Sequence, residues 1–341
     1  MAEIEGIYIY GIVDTAGEKS LGIAGITAYG EVYTIPHQDI SAVVSDSQFV
    51  DYTALSKDRV ARYLLAHQQA IEKIMDSHTI IPVKLGTYAF NIREVEEILS
   101  KGYTMFKDVF RTINNKIEID VVATWNDLNS VIKEIGEDEK IKELKEKLMS
   151  KPEGISLEDQ MKIGSLIKDI LYIKREKLAS EIGTVLRKVS IDSRAHGLMD
   201  DRMIFNAALL IDKDKRAELE KGLDEMNGLY NEKIDFKCVG PLPPYSFYTV
   251  EVKKIPFGEI DWAKEKLGID NIPTKEDIIK AYRSKANLYH PDKNRGASDA
   301  DRQFNEVFRA YKILLEYCQE ETCSFDEKEF GQDAIIVKIR D

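Results

Sequence analysis

The chain has 341 residues, 43% of them hydrophobic, too many for one ordinary core, so two or three domains are expected. Sixty acidic against 48 basic residues give a formal net charge of -12, a field that argues against the phosphate backbone of nucleic acids as a partner. No segment reaches the roughly 20 apolar residues of a membrane span, and "MAEIEGIYIYGIVD" carries acidic residues where a signal peptide needs positive charge, so a soluble, cytoplasmic protein is expected. Cys238, Cys318 and Cys323 form no CxxC pair and have no histidine at zinc-ligand spacing, and they read as reduced thiols.

In chain order, Ile7 to Val13 is a β-branched and aromatic run that predicts a strand. "GEKSLGIAG" follows with turn chemistry, and "EVYTIPHQDISAVVSD" predicts a hairpin. Val60, Leu64, His67, Ile71 and Ile74 recur at helical spacing and predict an amphipathic helix. "TIIPVKLG" then reads as a buried strand, "REVEEILSKGYTMFKDVFRTI" as a helix and "KIEIDVVATW" as an alternating strand. The order β, β, α, β, α, β predicts one ferredoxin-like α+β domain with an antiparallel sheet, over residues 1–125.

Residues 126–200 are dense in Lys and Glu, with Ile163, Ile167, Leu171, Leu178, Ile182, Val185 and Val189 as apolar positions, and predict a helical connector. Ser156 and Asp159 stand at capping-box spacing. A second α+β unit starts at "RMIFNAALLID", continues through the helix "KRAELEKGLDEMNGLY" and the strand "KIDFKCVG", and crosses "PLPPYSF" to the strand "YTVEVKKI". The terminal "DAIIVKIRD" is expected to return to that second sheet. Between these last two strands lies a helical excursion.

The excursion holds the consecutive residues His290, Pro291 and Asp292. A general-base dyad of His290 and Asp292 would need a nucleophile or polarising group converging on it, and the chain offers none in sequence; nor is there an HExxH spacing. No catalytic residue, cofactor or metal ligand is therefore expected, and a docking tip or a helix-connecting turn fits better. His67 and His78 read as structural histidines. The GxxG of "SLGIAG" precedes a hairpin rather than a helix and lacks the means to hold a phosphate. "GPLPPYSF" fixes an extended, donor-poor course and reads as a rigid connector.

Residues 261–319 resemble a J-domain: "EDIIKAYRSKANLYHPDKN" is similar to its second helix and loop, and "FNEVFRAYKILLEY" to its third helix. Phe304, Val307, Tyr311 and Leu314 are spaced to face Ile278, Tyr282 and Tyr289. The resemblance implies that His290, Pro291 and Asp292 dock on a DnaK-type chaperone ATPase beside the basic residues Lys280, Arg283 and Lys285. Lys285 stands where that family usually has a core leucine, and Leu288 where it often has a basic residue.

The rest of the chain resembles the gas vesicle proteins GvpF and GvpL, through "GIYIYGIV", "ISAVVSD", His67 followed by "TIIPVKLGT", "KIEIDVVATW", "IFNAALLID" and "GPLPPYSF" in that order. That resemblance implies an accessory or minor structural protein of gas vesicles, located there or in the cytoplasm, without catalysis. Its partners would be the shell protein GvpA and other accessory proteins. The combined expectation is an α+β chain of two ferredoxin-like domains, 1–125 and 201–255 with 330–341, joined by the connector 126–200, with a J-like helical module at 256–329 inserted in the second. The alternative is a J-domain co-chaperone that brings a DnaK-type ATPase to shell-protein clients.

Overall fold

The computed structural model describes residues 5–340 apart from 18, 28–29, 152–154, 231–232, 271, 291–298, 320 and 327–332. The chain divides into two compact units, the first made of Met1–Ala70, Val83–Lys107 and Val250–Arg340, the second of Ile71–Pro82 and Asp108–Thr249 with the last residue.

In the first unit, β1 (Glu5–Val13), β2 (Ser20–Ala24), β3 (Glu31–His37) and β4 (Ile40–Gln48) form an antiparallel sheet in the order β2-β3-β4-β1. His37 pairs with Ile40, so β3 and β4 are joined by a two-residue turn in which Gln38 takes a left-handed φ of 55°. The run "SLGIA", expected as a turn, is β2 itself, with Gly22 at φ 64° accommodating an irregular register against β3. The predicted helix is α1 (Lys57–Met75), which starts in this unit; along the chain follow β5 (Ile80–Pro82), counted with the second unit, β6 (Tyr88–Ala89), which pairs with β1, and α2 (Ile92–Ile113), most of which belongs to the first.

The second unit runs β7 (Lys116–Trp125), α3 (Leu128–Gly136), α4 (Glu139–Met149), α5 (Leu157–Leu186), β8 (Asp192–Ala195), β9 (Met203–Asp212), α6 (Arg216–Leu229) and β10 (Ile234–Leu242). Its sheet is antiparallel in the order β10-β7-β9-β8. Alternate residues of β7, Ile117, Ile119, Val121, Ala123 and Trp125, enter one core with Leu178, Ile182 and Leu186 of α5 and Leu219, Leu223 and Met226 of α6. There the period-2 face of a strand meets the 3.6-residue stripe of two helices.

This arrangement corrects two expectations. "KIEIDVVATW" was expected to close the first sheet and is instead the central strand of the second, hydrogen-bonded to β9 along nearly its whole length. Alternation fixes which face of a strand is buried but not which strand lies beside it. Residues 126–200, expected to join two domains, carry α3–α5 between β7 and β8 of one sheet, and α5 is a core helix of that unit. The capping box of Ser156 and Asp159 at the start of α5 is formed as expected.

The last part of the first unit consists of β11 (Thr249–Pro256), α7 (Phe257–Leu267), α8 (Lys275–Leu288), α9 (Ala300–Tyr317) and β12 (Asp333–Arg340). β12 pairs with β11 in a separate two-stranded sheet, so the expected return of the tail to the sheet of the second unit does not occur. Its buried Ala334 and Ile336 enter the core of the three helices instead, beside Ile255 of β11. The module is thus closed by the two strands that flank it. It is also tied to the N-terminal segments of the same unit: Lys84 N donates to Val250 O at 2.9 Å, Lys84 Nζ pairs with Glu251 at 3.0 Å, and Lys101 Nζ donates to Ile335 O at 3.2 Å. Cys318 and Cys323, expected as reduced thiols, lie side by side with Cα atoms 5.3 Å apart, within reach of a disulfide.

Candidate docking site and buried polar nodes

The helical module is built from local signals. Thr274 caps α8 in a capping box with Asp277, and Gly268, at φ 67°, ends α7 in the left-handed conformation. Ile278, Val307 and Leu314 are buried, and the rings of Tyr282 and Tyr311 stack at 4.2 Å, so the facing stripes expected for α8 and α9 do meet. Phe304 lies against the ring of His290, 5.9 Å between centroids and edge-on.

Of the six candidate docking residues, Lys280 and Arg283 are exposed one turn apart on α8, and His290 is exposed just past its end. Pro291 and Asp292 lie outside the described residues. Lys285 does not join the exposed basic face. It is half-buried, and its Nζ donates to Lys266 O in the last turn of α7 at 2.7 Å. A cation at a helix C-terminus satisfies a carbonyl without an intrahelical partner and opposes the negative end of the helix dipole. The aliphatic stem fills space that a leucine would fill, and the ammonium acts as the cap. Sequence reasoning could not separate these roles, because a lysine on a basic helix reads as surface charge.

Two buried polar nodes, one per unit, are further structural features. In the first unit His67 is 2% exposed; its Nε2 donates to Val83 O at 3.0 Å, leaving Nδ1 to accept from the Tyr8 hydroxyl at 2.8 Å. The Tyr10 hydroxyl in turn bonds Ser45 at 3.0 Å and accepts from Ile26 N at 2.7 Å. His67 was read as structural, and this network shows how it is satisfied.

In the second unit Glu118, on the face of β7 away from the helices, is 1% exposed and accepts from Ser246 N at 2.8 Å and Ser246 Oγ at 2.7 Å. Burial pushes its carboxyl up to about 7, against the lowering effect of the two Ser246 bonds. The proline-rich segment is therefore clamped over the sheet, with Phe247 packed on Ala208 and Leu210. Gly240 is at φ 144°, and a Cβ there would come within 2.7 Å of Ile119 Cδ1 and 2.8 Å of Glu118 O, so only glycine fits. The sequence showed a stiff connector but not its anchor, since a lone Glu in an alternating strand reads as solvent-facing.

Because the folded carboxyl keeps its proton to higher pH than an unfolded one, Glu118 makes the second unit lose stability as pH rises from about 4.5 to about 7, by about 3 kcal/mol at full burial. Glu118→Gln should flatten that slope, as read by urea unfolding of β7 followed by hydrogen exchange. A slope equal to that of the parent would show that Glu118 does not carry it.

Among the described residues no group of His, Cys, Asp and Glu side chains could hold a metal, and no helix is long and apolar enough to cross a membrane.

Comparison with known proteins agrees with this architecture. Residues 6–249 match the family model "Gas vesicle synthesis protein GvpL/GvpF", and residues 265–321 match the DnaJ domain. Gas vesicle protein F1 of Halobacterium salinarum is 21% identical over 251 residues, spanning 73% of this chain and 95% of its own. The crystal structure of GvpF from Anabaena sp. PCC7120 superposes with a TM-score of 0.61 at 20% identity, over 71% of this chain and 97% of that one; GvpF from Microcystis aeruginosa does so with 0.57 at 22%, over 71% and 98%. The chaperone protein DnaJ of Treponema denticola is 48% identical over 52 residues, 15% of this chain and 14% of its own. With most of its length matched by that model, the chain belongs to the GvpL/GvpF family of gas vesicle synthesis proteins and carries a DnaJ domain in its C-terminal part.

Proposed function

We propose that this protein binds the gas vesicle shell protein GvpA, together with other accessory proteins, and assists vesicle assembly in the cytoplasm, acting by binding rather than by catalysis. The observation that carries this reading is the family match across residues 6–249, which covers the two larger sheets of the chain. A shell subunit presents apolar β surface before assembly, and an acidic carrier keeps such a complex dispersed. The strands β2 and β8, which end their sheets, offer backbone for strand addition. The β-α-β-β-α-β connectivity of the second unit, with its first strand between its fourth and third, supports reading that unit as ferredoxin-like. The test is co-purification of GvpA with the full chain from a vesicle-forming host. Absence of GvpA when both proteins are expressed would overturn the reading.

A second reading, a co-chaperone that recruits a DnaK-type ATPase, is favoured by the DnaJ domain match and by the exposure of Lys280, Arg283 and His290 together. Lys285, turned to α7, leaves two of the three expected basic residues exposed on α8 for electrostatic steering. On the first reading, His290→Gln leaves flotation of the host within about twofold, because a change at the tip removes one exposed ring and no core packing. A single-turnover ATPase assay with the host's DnaK is run beside it. Several-fold stimulation that disappears in His290→Gln, together with lost flotation, would decide for the co-chaperone.

A further inference from the structure

The second unit has a trough between α5 and α6. One lobe, about 390 Å³, has Trp125, Val131, Leu178 and Ile234 among its walls. A second lobe, about 370 Å³, continues along the same two helices past Val185 and Met226. The lobes share Glu181, Leu229 and Tyr230, and Leu229 at the junction is 79% exposed. Each lobe has room for one or two large side chains, and their succession along a helix pair suits an elongated occupant better than a compact one.

Three observations define what would fill it. The first lobe is lined by Lys174, Lys177, Lys233 and Glu181; with Glu134 paired to two of the lysines, three cations meet two carboxylates, a net of one positive charge at the opening in a chain of net charge -12. Glu134 already holds Lys174 at 3.2 Å and also pairs with Lys233, while Tyr230 donates to Glu181; these pairs set the lysines in place around the opening. Finally, Trp125 is 2% exposed and lines the lobe, yet its indole Nε1–H has no acceptor among the described residues. Buried donors of this kind nearly always find a partner.

We propose that this trough is a docking site for an acidic, amphipathic segment of a partner protein, which seats two apolar side chains in the lobes and presents a carboxylate to Lys177, beside the Glu134-paired ammonium groups of Lys174 and Lys233. A carboxylate or carbonyl of that segment gives the Trp125 indole the acceptor it lacks. The site lies wholly within the second unit and is independent of the strand edges and of the helical module.

The test is selection of displayed peptides of about twelve residues against the full chain, from one library built of Leu, Phe, Asp and Glu and one built of Leu, Phe, Lys and Arg. The acidic library should yield binders whose affinity falls about tenfold or more with Leu229→Arg and with Lys177→Glu, both exposed positions whose replacement leaves the core intact. In a Trp262→Phe background the same binders should change Trp125 fluorescence. Enrichment of the basic library, enrichment of neither, or acidic binders indifferent to both substitutions overturns the proposal. So does a dimer in sedimentation that Leu229→Arg abolishes, which would make a second copy of this chain the occupant.

Discussion

Acidification from about pH 6.5 to about pH 4 should cost the first unit about 3 kcal/mol through one residue, His67. Burial, which disfavours the imidazolium, holds its pKa down to about 4, and the bond to Val83 O opposes this only in part. The neutral ring is fully used, with one nitrogen donating and the other accepting, so a second proton would have to face the Tyr8 hydroxyl that now donates to it. The unfolded chain takes up that proton near the ordinary histidine value and the folded one resists it. Stability is therefore complete above the unfolded pKa and drains away as pH falls towards the folded one. Hydrogen exchange in Ile7–Val13 and in α1, measured across this window, should show protection falling in the wild type. In His67→Gln it should start lower and stay level. Parallel pH profiles for the two would show that another group is responsible. The second unit, governed by Glu118, has the opposite slope over much of the same range, so the order in which the units open should change with pH.

Deletion of the chain from Asp333 onward should release the helical module. Ile335, Ile336 and Val337 of β12 are each at most 7% exposed, and burying three such side chains contributes about 6 kcal/mol in gross terms. The ordering entropy of the strand offsets part of this, leaving a net loss of about 3 kcal/mol. The deletion also uncovers β11 and removes the Ile335 carbonyl, one of two partners of Lys101 beside Glu97. Protection of α9 amides should fall about a hundredfold, the equivalent of that loss. Unchanged protection would show the helices to be self-sufficient.

Local features of this protein were legible in its sequence because their causes are local. The stripe through Val60, Leu64, His67 and Ile71 is α1, the box of Ser156 and Asp159 opens α5, and Tyr282 and Tyr311 meet as their spacing on two helices required. Partner choice between strands was not legible. β7 reads as a strand in any sheet, and its assignment to the second depends on β9 and β10, which lie about 80 and 110 residues further on. β12 shows the same limit, since Ala334 and Ile336 need an apolar floor and either sheet could have supplied one. Lys285 and Glu118 were misjudged or missed for a related reason: a charged residue shows its charge in the sequence, but a backbone carbonyl or a clamped loop as its partner does not show. The trough between α5 and α6 needed two helices about 30 residues apart in sequence to be brought side by side.

The first unit is discontinuous: after a short break between Ala70 and Val83, its chain leaves at Lys107 and resumes at Val250. On the ribosome, the segments carrying β1–β4 emerge long before β11, whose Val250 accepts from Lys84, and before β12. The second unit, made of Ile71–Pro82 and Asp108–Thr249 apart from the last residue, has nearly all its residues available first. The middle of the gene is therefore expected to fold before its beginning. The N-terminal sheet would wait with an unfinished flank for about 140 residues of synthesis, seconds to tens of seconds at ordinary elongation rates. During that interval the nascent chain itself is the species most exposed to aggregation, and the module that resembles a chaperone's docking domain is among the last parts to be made.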